Sequence, residues 1–331
     1  MSQDIRIAVD TMGGDFGPRF CVSATLKFLH DHPTISVSLF GPIERLEPLL
    51  GDSPFNKRIK IVDAKQVVEM TDKPGSAFRH KRLSSMWLAL GSLARNEADA
   101  CVSGGNTGTL MVMSRQLLGV IDGMDRPAIC KPIPTKLGHS FVLDLGANLD
   151  CEPNQLLQFA IMGSALAKVS GCACPSVGLL NVGTEASKGS KVIQAAYSLL
   201  DQHKGIRFKG FIEGNSLYDG DVDVIVCDGF IGNVALKVSE GAASFILGTL
   251  KLEFSSSLWR KFLGLVLRSA LRKSLGHFNP SKYNGAALLG LNKVVVKSHG
   301  AANEQGFYFA LETARRQAEG NIPQKITQCL G

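Results

Sequence analysis

Short β-branched runs alternate with helix-like stretches along most of the chain, and glycine clusters follow several of those runs. A strand, a tight glycine turn and a helix, repeated, build a mostly parallel sheet covered on both faces. Residues 5–9, 35–40, 59–62 and 100–102 read as strands, with helices at 16–30, 43–50, 77–95 and 107–118. The second half repeats the habit, with strands at 140–145, 177–182, 207–212, 222–226 and 294–296 and helices at 155–169 and 190–200. The expected fold is an α/β class, three-layer α/β/α sandwich forming one catalytic unit over 1–331. At 331 residues the chain is also long enough for two lobes. A boundary at 118–136 would suit that alternative, because Pro127, Pro132 and Pro134 interrupt regular structure there.

The rhythm stops between 234 and 275, which reads as helix after helix with no strand. Its second part, 255–275, is basic and amphipathic. Arg260, Lys261, Arg268, Arg272 and Lys273 stand with no acid between them. At 100° per residue Lys261, Arg268 and Arg272 share one stripe, and Trp259, Phe262, Leu263, Val266 and Ala270 share the other. A core-facing or dimer-interface helix with a solvated side fits this pattern. A membrane-surface helix also fits, and the tryptophan on the apolar side and the missing acids favour it. No apolar run approaches the roughly 18 residues of a membrane span. The first residues hold an acid at position 4 and no apolar core, so no secretory leader is expected, and a reducing cytoplasm suits eight scattered cysteines without a CxxC. A net charge of +7 suggests anionic partners. Aromatics at 7% argue against nucleic acid bound by stacking.

Five clusters at strand ends could carry chemistry. Gly13 and Gly14, with Asp15, follow the first strand and open a helix, where free amides and the dipole attract an anion. The spacing is not the GxGxxG dinucleotide fingerprint. Ser103, Gly104, Asn106 and Thr107 repeat the arrangement after another strand and could cradle a phosphate. Lys188 lies in a glycine turn that fails as a P-loop because Lys188 precedes Gly189, but it could hold an oxyanion. Gly229 and Asn233 open a further helix, and the Asn233 amide could donate to a developing oxyanion. His299 follows the strand at 294–296 and could act as acid or base. Each cluster also has a plain structural use as a turn, a helix cap or a surface charge. No GxSxG elbow, HExxH or zinc spacing occurs, and no metal or cofactor is expected. Several glycine-rich strand ends with few titratable groups suit a reaction run by positioning and charge stabilisation.

These clusters, in this order, resemble the bacterial phosphate acyltransferases of phospholipid synthesis. The likeness runs from about residue 5 to 323 and rests on many motifs in register. They are DTMGGDFGP at 10–18, P-x-x-A-x-R-x-K at 74–81 with SSM at 84–86, SGGNTGTLM at 103–111 and LDLGANLD at 143–150. QFAIMGS at 158–164, GTEASKG at 183–189, CDGFIGNVALK at 227–237, NGAALLG at 284–290 and KSHGAAN at 297–303 follow. Gly104 and Thr109 stand where the family often has alanine, and neither change removes a polar group. The resemblance implies an isocitrate/isopropylmalate dehydrogenase-like sandwich. It implies transfer of an acyl group from acyl carrier protein to inorganic phosphate, the product feeding a membrane glycerol-3-phosphate acyltransferase. It also implies a homodimer held peripherally at the membrane surface, and it strengthens the catalytic readings of Lys188 and Asn233, while His299 stays the weaker catalytic candidate. Two other readings stay open. A phosphotransacetylase would take acyl-CoA, and a non-catalytic adaptor would bind carrier protein without phosphate-dependent thiol release.

Overall fold

The computed structural model describes residues 4–185, 187–256, 259 and 280–330. Its strands are β1 Arg6–Asp10, β2 Ser36–Gly41, β3 Ile59–Asp63, β4 Ala100–Ser103, β5 Ala128–Thr135 and β6 Gly138–Leu143. Then come β7 Ser176–Asn181, β8 Arg207–Glu213, β9 Val224–Val226, β10 Ala286–Leu289 and β11 Val294–Lys297. They form one continuous sheet in the order β3-β2-β1-β4-β11-β10-β5-β6-β9-β7-β8. The helices are α1 Pro18–Asp31, α2 Ile43–Leu50, α3 Pro74–His80, α4 Ser85–Ala94, α5 Thr107–Leu118, α6 Pro153–Val169 and α7 Lys191–Gln202. After them come α8 Gly229–Ser255, α9 Glu304–Glu319 and α10 Ile322–Leu330.

Period-two patterning places the layers. Ile7 and Val9 of β1 pack with α1 and α9 on one face, while Ala8 packs with α4 and α5 on the other. In the second half Ala128 and Cys130 face α6, α7 and α10, and Ile129 and Ile133 face the opposite way, toward Ala235 and Leu236 at the foot of α8.

Strand direction decides where the loops open. β1, β2, β3, β4 and β11 are parallel to one another, as are β6, β7, β8 and β9. β11–β10, β10–β5 and β5–β6 are antiparallel. Three reversals between the halves make β6 run against β1. The carboxyl ends of the two parallel sets therefore open at opposite rims of the sheet, about 15 Å apart for five-residue strands.

Several expectations need correction. The helix expected at 77–95 is two helices, α3, which ends at His80 with Lys81 as its C-cap, and α4, which Ser84 caps, its hydroxyl accepting from Trp87 N at 3.3 Å. The stretch 118–136 holds β5 rather than a simple break. Pro132 and Pro134 are tolerated because β10 pairs only with 128–130, so beyond that point β5 has β6 alone as a neighbour and one side needs no donors. The motif at 284–290 holds β10, which has no strand in the sequence reading.

α8 differs most from expectation. It runs 27 residues, about 40 Å, and only Gly229 and Gly232 are buried. By length and composition alone it is long and apolar enough to cross a membrane, against the reading that no run is. Lys131 and Glu240 pair at 3.4 Å at its base. Beyond Glu240 nearly every residue is exposed, including Phe245, Ile246, Leu247 and Leu252. Of the residues expected to meet a membrane surface, exposed Trp259 is described. Arg260, Lys261, Phe262, Leu263, Val266 and Arg268 lie outside the described residues.

Candidate active site

The first rim is built around a buried carboxylate. Asp10 ends β1 with 1% of its surface exposed, and takes hydroxyl hydrogen bonds from Ser85 and Ser103, each at 2.6 Å. Burial pushes its carboxyl up, and the two hydroxyls and the amides of Met12 and Gly13 pull it back down. Gly13 allows the close approach beside it. A β-carbon there would run into the Gly105 amide nitrogen and sit 2.8 Å from Asp10 Oδ2. The Asp15 amide donates to the Gly300 carbonyl at 2.9 Å, joining this loop to the one after β11. Three glycine-bearing loops thus meet backbone to backbone.

Lys297, the last residue of β11, stands beneath them. Its ammonium is buried and donates to the carbonyls of Gly104, at 3.1 Å, and of Ser298. Burial lowers it to about 8, against the pull of Asp10 and Asp15. Asn284 is buried alongside, donating to Ser298 Oγ at 2.9 Å and the Gly306 carbonyl at 2.8 Å while accepting from the His299 amide at 2.9 Å.

The second rim repeats the plan with different donors. Asp144 follows β6, is fully buried, and accepts from the amides of Ile129 at 2.9 Å, Ala147 at 3.1 Å and Asn148 at 2.6 Å. Burial raises this carboxyl and those amides hold it down. Gly229 opens α8 against the loop, and a β-carbon there would fall 2.6 Å from the Asn148 carbonyl oxygen. Asp228 caps α8 by accepting from Ile231 N at 2.8 Å. Asn233, one turn further, is therefore not the cap. It is half-buried against Gly146, and its amide makes no hydrogen bond to any described residue. Lys188 lies in the turn after β7, exposed, with the turn held by Asn181 Nδ2 donating to the Gly183 carbonyl at 3.0 Å and that of Lys188 at 3.2 Å.

The structure thus sorts the expected residues into two groups. Gly13, Gly14, Asp15, Ser103, Gly104, Asn106, Thr107 and His299 gather at the first rim. Lys188, Gly229 and Asn233 gather at the second, where β7 and β9 are neighbours. Some side chains have local duties. Ser103 serves Asp10. Asn106 caps α5 and donates to the Met70 and Asp72 carbonyls at 2.7 and 3.3 Å. The exposed His299 ring accepts from the Ala301 amide at 3.1 Å through Nδ1. The first rim consequently offers an anion mainly backbone amides and a buried positive charge. Asp10, Ser85, Lys297, Asn284 and Asp144 had no role in the sequence reading, although all lie inside motifs already singled out. For Asp10, Asp144 and Lys297 the available signal was a charged residue at the end of a β-branched strand, whereas Ser85 and Asn284 offered no such signal.

Among the described residues no cluster of three His, Cys, Asp or Glu side chains could hold a metal. Burial pushes the thiols of Cys101, Cys130 and Cys227 up, and that of Cys151 up to about 12. None of these four is poised as a thiolate.

Comparison with known proteins gives the family and the fold. Residues 5–325 match the family model described as "Fatty acid synthesis protein". A phosphate acyltransferase of Teredinibacter turnerae is 51% identical over 330 residues, 100% of both chains. Among solved structures, a phosphotransacetylase from Streptococcus pyogenes superposes with a TM-score of 0.65 at 15% identity, covering 96% of this chain and 95% of its own. An isocitrate dehydrogenase from Methylococcus capsulatus gives 0.51 at 10% identity, covering 98% and 88%. These last two establish the dehydrogenase-like α/β fold alone. On the full-length match, the chain belongs to the fatty acid synthesis protein family, the family of the phosphate acyltransferases, and is an enzyme.

Proposed function

We propose that the chain transfers the acyl group of an acyl carrier protein thioester to inorganic phosphate. A phosphate oxygen attacks the thioester carbonyl, the C–S bond breaks, and the proton of hydrogen phosphate passes to the departing thiolate. The products are acyl phosphate and free carrier protein. Phosphate is already anionic at neutral pH, so no strong base and no covalent enzyme intermediate are needed. The carrying observation is the Asn233 amide at the start of the second turn of α8, unbonded among the described residues, at the same rim as exposed Lys188. Two free donors there suit the oxyanion of a tetrahedral intermediate. The glycine amides of the first rim, with Lys297 beneath them, suit phosphate.

The rims open on opposite sides of one sheet, so one active site needs both only if two chains share it. The exposed apolar length of α8 supports a homodimer, because an isolated helix of that composition gains stability chiefly by packing. In this reading the phosphate rim of one protomer meets the oxyanion rim of its partner. The setting is the cytoplasmic face of a membrane, with 255–275 as a reversible surface contact and the acyl phosphate passing to a membrane glycerol-3-phosphate acyltransferase.

The test is free-thiol release from a long-chain acyl carrier protein with and without phosphate. Release that depends on phosphate and needs no nucleotide or metal is expected. Full release without phosphate, or an absolute need for NAD or a divalent metal, contradicts the reading. Preference for acyl-CoA would reassign the donor.

A further inference from the structure

The stretch 64–84, between β3 and α4, walls the first rim on its outer side. Asn106 fixes it through the Met70 and Asp72 carbonyls, and a β-carbon on Gly300 would touch Met70 Cε at 3.5 Å. The wall carries Lys65, Lys73, Arg79, Lys81 and Arg82 against Glu69 and Asp72. Lys81 pairs with Asp72 at 2.5 Å, which leaves one acid facing four exposed cations. None of those four forms an ion pair with a described residue. Two are held in place without a counter-charge. Arg79 Nε donates to the Gly75 carbonyl at 3.1 Å, and the Arg82 guanidinium lies 5.6 Å over the Trp87 ring. Exposed Met70 and Leu83 sit among the charges, at 47% and 62% of their surface.

We propose that this wall is the docking surface for an acidic protein that presents the acyl thioester, its carboxylates meeting Lys73, Arg79 and Arg82 around Met70 and Leu83. The inference rests on the carrier-protein reading above and adds to it the surface that receives the carrier. A donor tethered to a protein must set that protein down within an arm's reach of the rim, and unpaired cations steer an acidic face there. A small thioester needs no such surface. Arginines fixed by their own backbone and by a ring suit a protein epitope better than a fluid lipid surface. The seven-residue α3 also has no continuous apolar face to insert.

The test is the triple charge reversal Lys73→Glu, Arg79→Glu, Arg82→Glu, assayed with phosphate on two donors, a long-chain acyl carrier protein and a small acyl thioester such as acyl-CoA. KM for the carrier donor should rise about tenfold or more and lose much of its salt dependence. Turnover at saturation, phosphate KM and kcat/KM for the small donor should hold. An unchanged carrier KM overturns the proposal, as does an equal loss with both donors. Loss of co-sedimentation with phosphatidylglycerol vesicles at unchanged carrier KM would assign the wall to lipid instead. If the wild-type protein releases no thiol in response to phosphate, the functional reading fails separately. Fluorescence anisotropy of labelled carrier protein with wild type and with the single variant Arg79→Glu then tests the surface by binding alone.

Discussion

The two rims answer one problem in different ways. Each closes a parallel strand set with a buried aspartate, Asp10 in the first and Asp144 in the second, and each folds glycine loops around it. The first rim satisfies its carboxylate with serine hydroxyls as well as amides and adds a buried lysine. Most of its polar side chains are fixed within the framework, so what it presents is shaped backbone. The second rim satisfies Asp144 with amides and the Asn148 side chain, and the Asn233 and Lys188 side chains have no hydrogen-bond or ion-pair partner among the described residues. A rigid backbone cradle suits a ground-state anion. Free donors suit a charge that appears only during reaction.

Removing the free donors should have the largest effect. Asn233→Ala and Lys188→Ala should each lower turnover by about 10²–10³, the scale of one lost oxyanion donor. Thermal melting should barely move, since neither side chain supports the core. Turnover near wild type in both variants would erase the distinction between the rims.

Gly13→Ala should act on the cradle instead. Its β-carbon meets the Gly105 amide, and the loops must part. Phosphate KM should rise about tenfold or more, with a stability loss of ~1–3 kcal/mol from overpacking. Unchanged phosphate KM would remove this loop from phosphate binding.

Lys297→Met separates charge from shape. The wild-type lysine falls from its usual 10.5 to about 8 on folding, so between these values the unfolded chain holds a proton that the folded chain lacks. Stability should therefore rise as pH climbs from about 8 to about 10.5, and the variant should lose that rise. Denaturant midpoints at several pH values measure it. The variant also orphans two carbonyls, costing ~1–3 kcal/mol below pH 8. His299→Ala should do least, less than about tenfold in turnover, because its Nδ1 is engaged by its own loop.

The fold was legible where β-branched runs alternate with amphipathic helices, and β1, β2, β4, α2 and α5 fall within a residue or so of expectation. β5 was not, because Pro132 and Pro134 read as breakers until the short reach of β10 is known. α8 was not, because its apolar length says nothing about whether a partner covers it. The glycine clusters were legible as strand-end turns. The buried network was not, since Asp10 meets Ser85 and Ser103 across 75 and 93 residues and Lys297 meets Gly104 across 193. Such pairings follow from sheet order, which spacing alone does not give.

The central claim is that the two rims do different work and complete each other across protomers. Mixing Gly13→Ala with Asn233→Ala, by co-expression or by subunit exchange, tests it most directly. At low phosphate each variant alone should be nearly inactive. If the site is shared, half the mixed population is heterodimer with one intact site of two, and activity should recover to about a quarter of wild type. Activity no higher than the average of the two parent variants would contradict the account and place phosphate and oxyanion contacts within one chain.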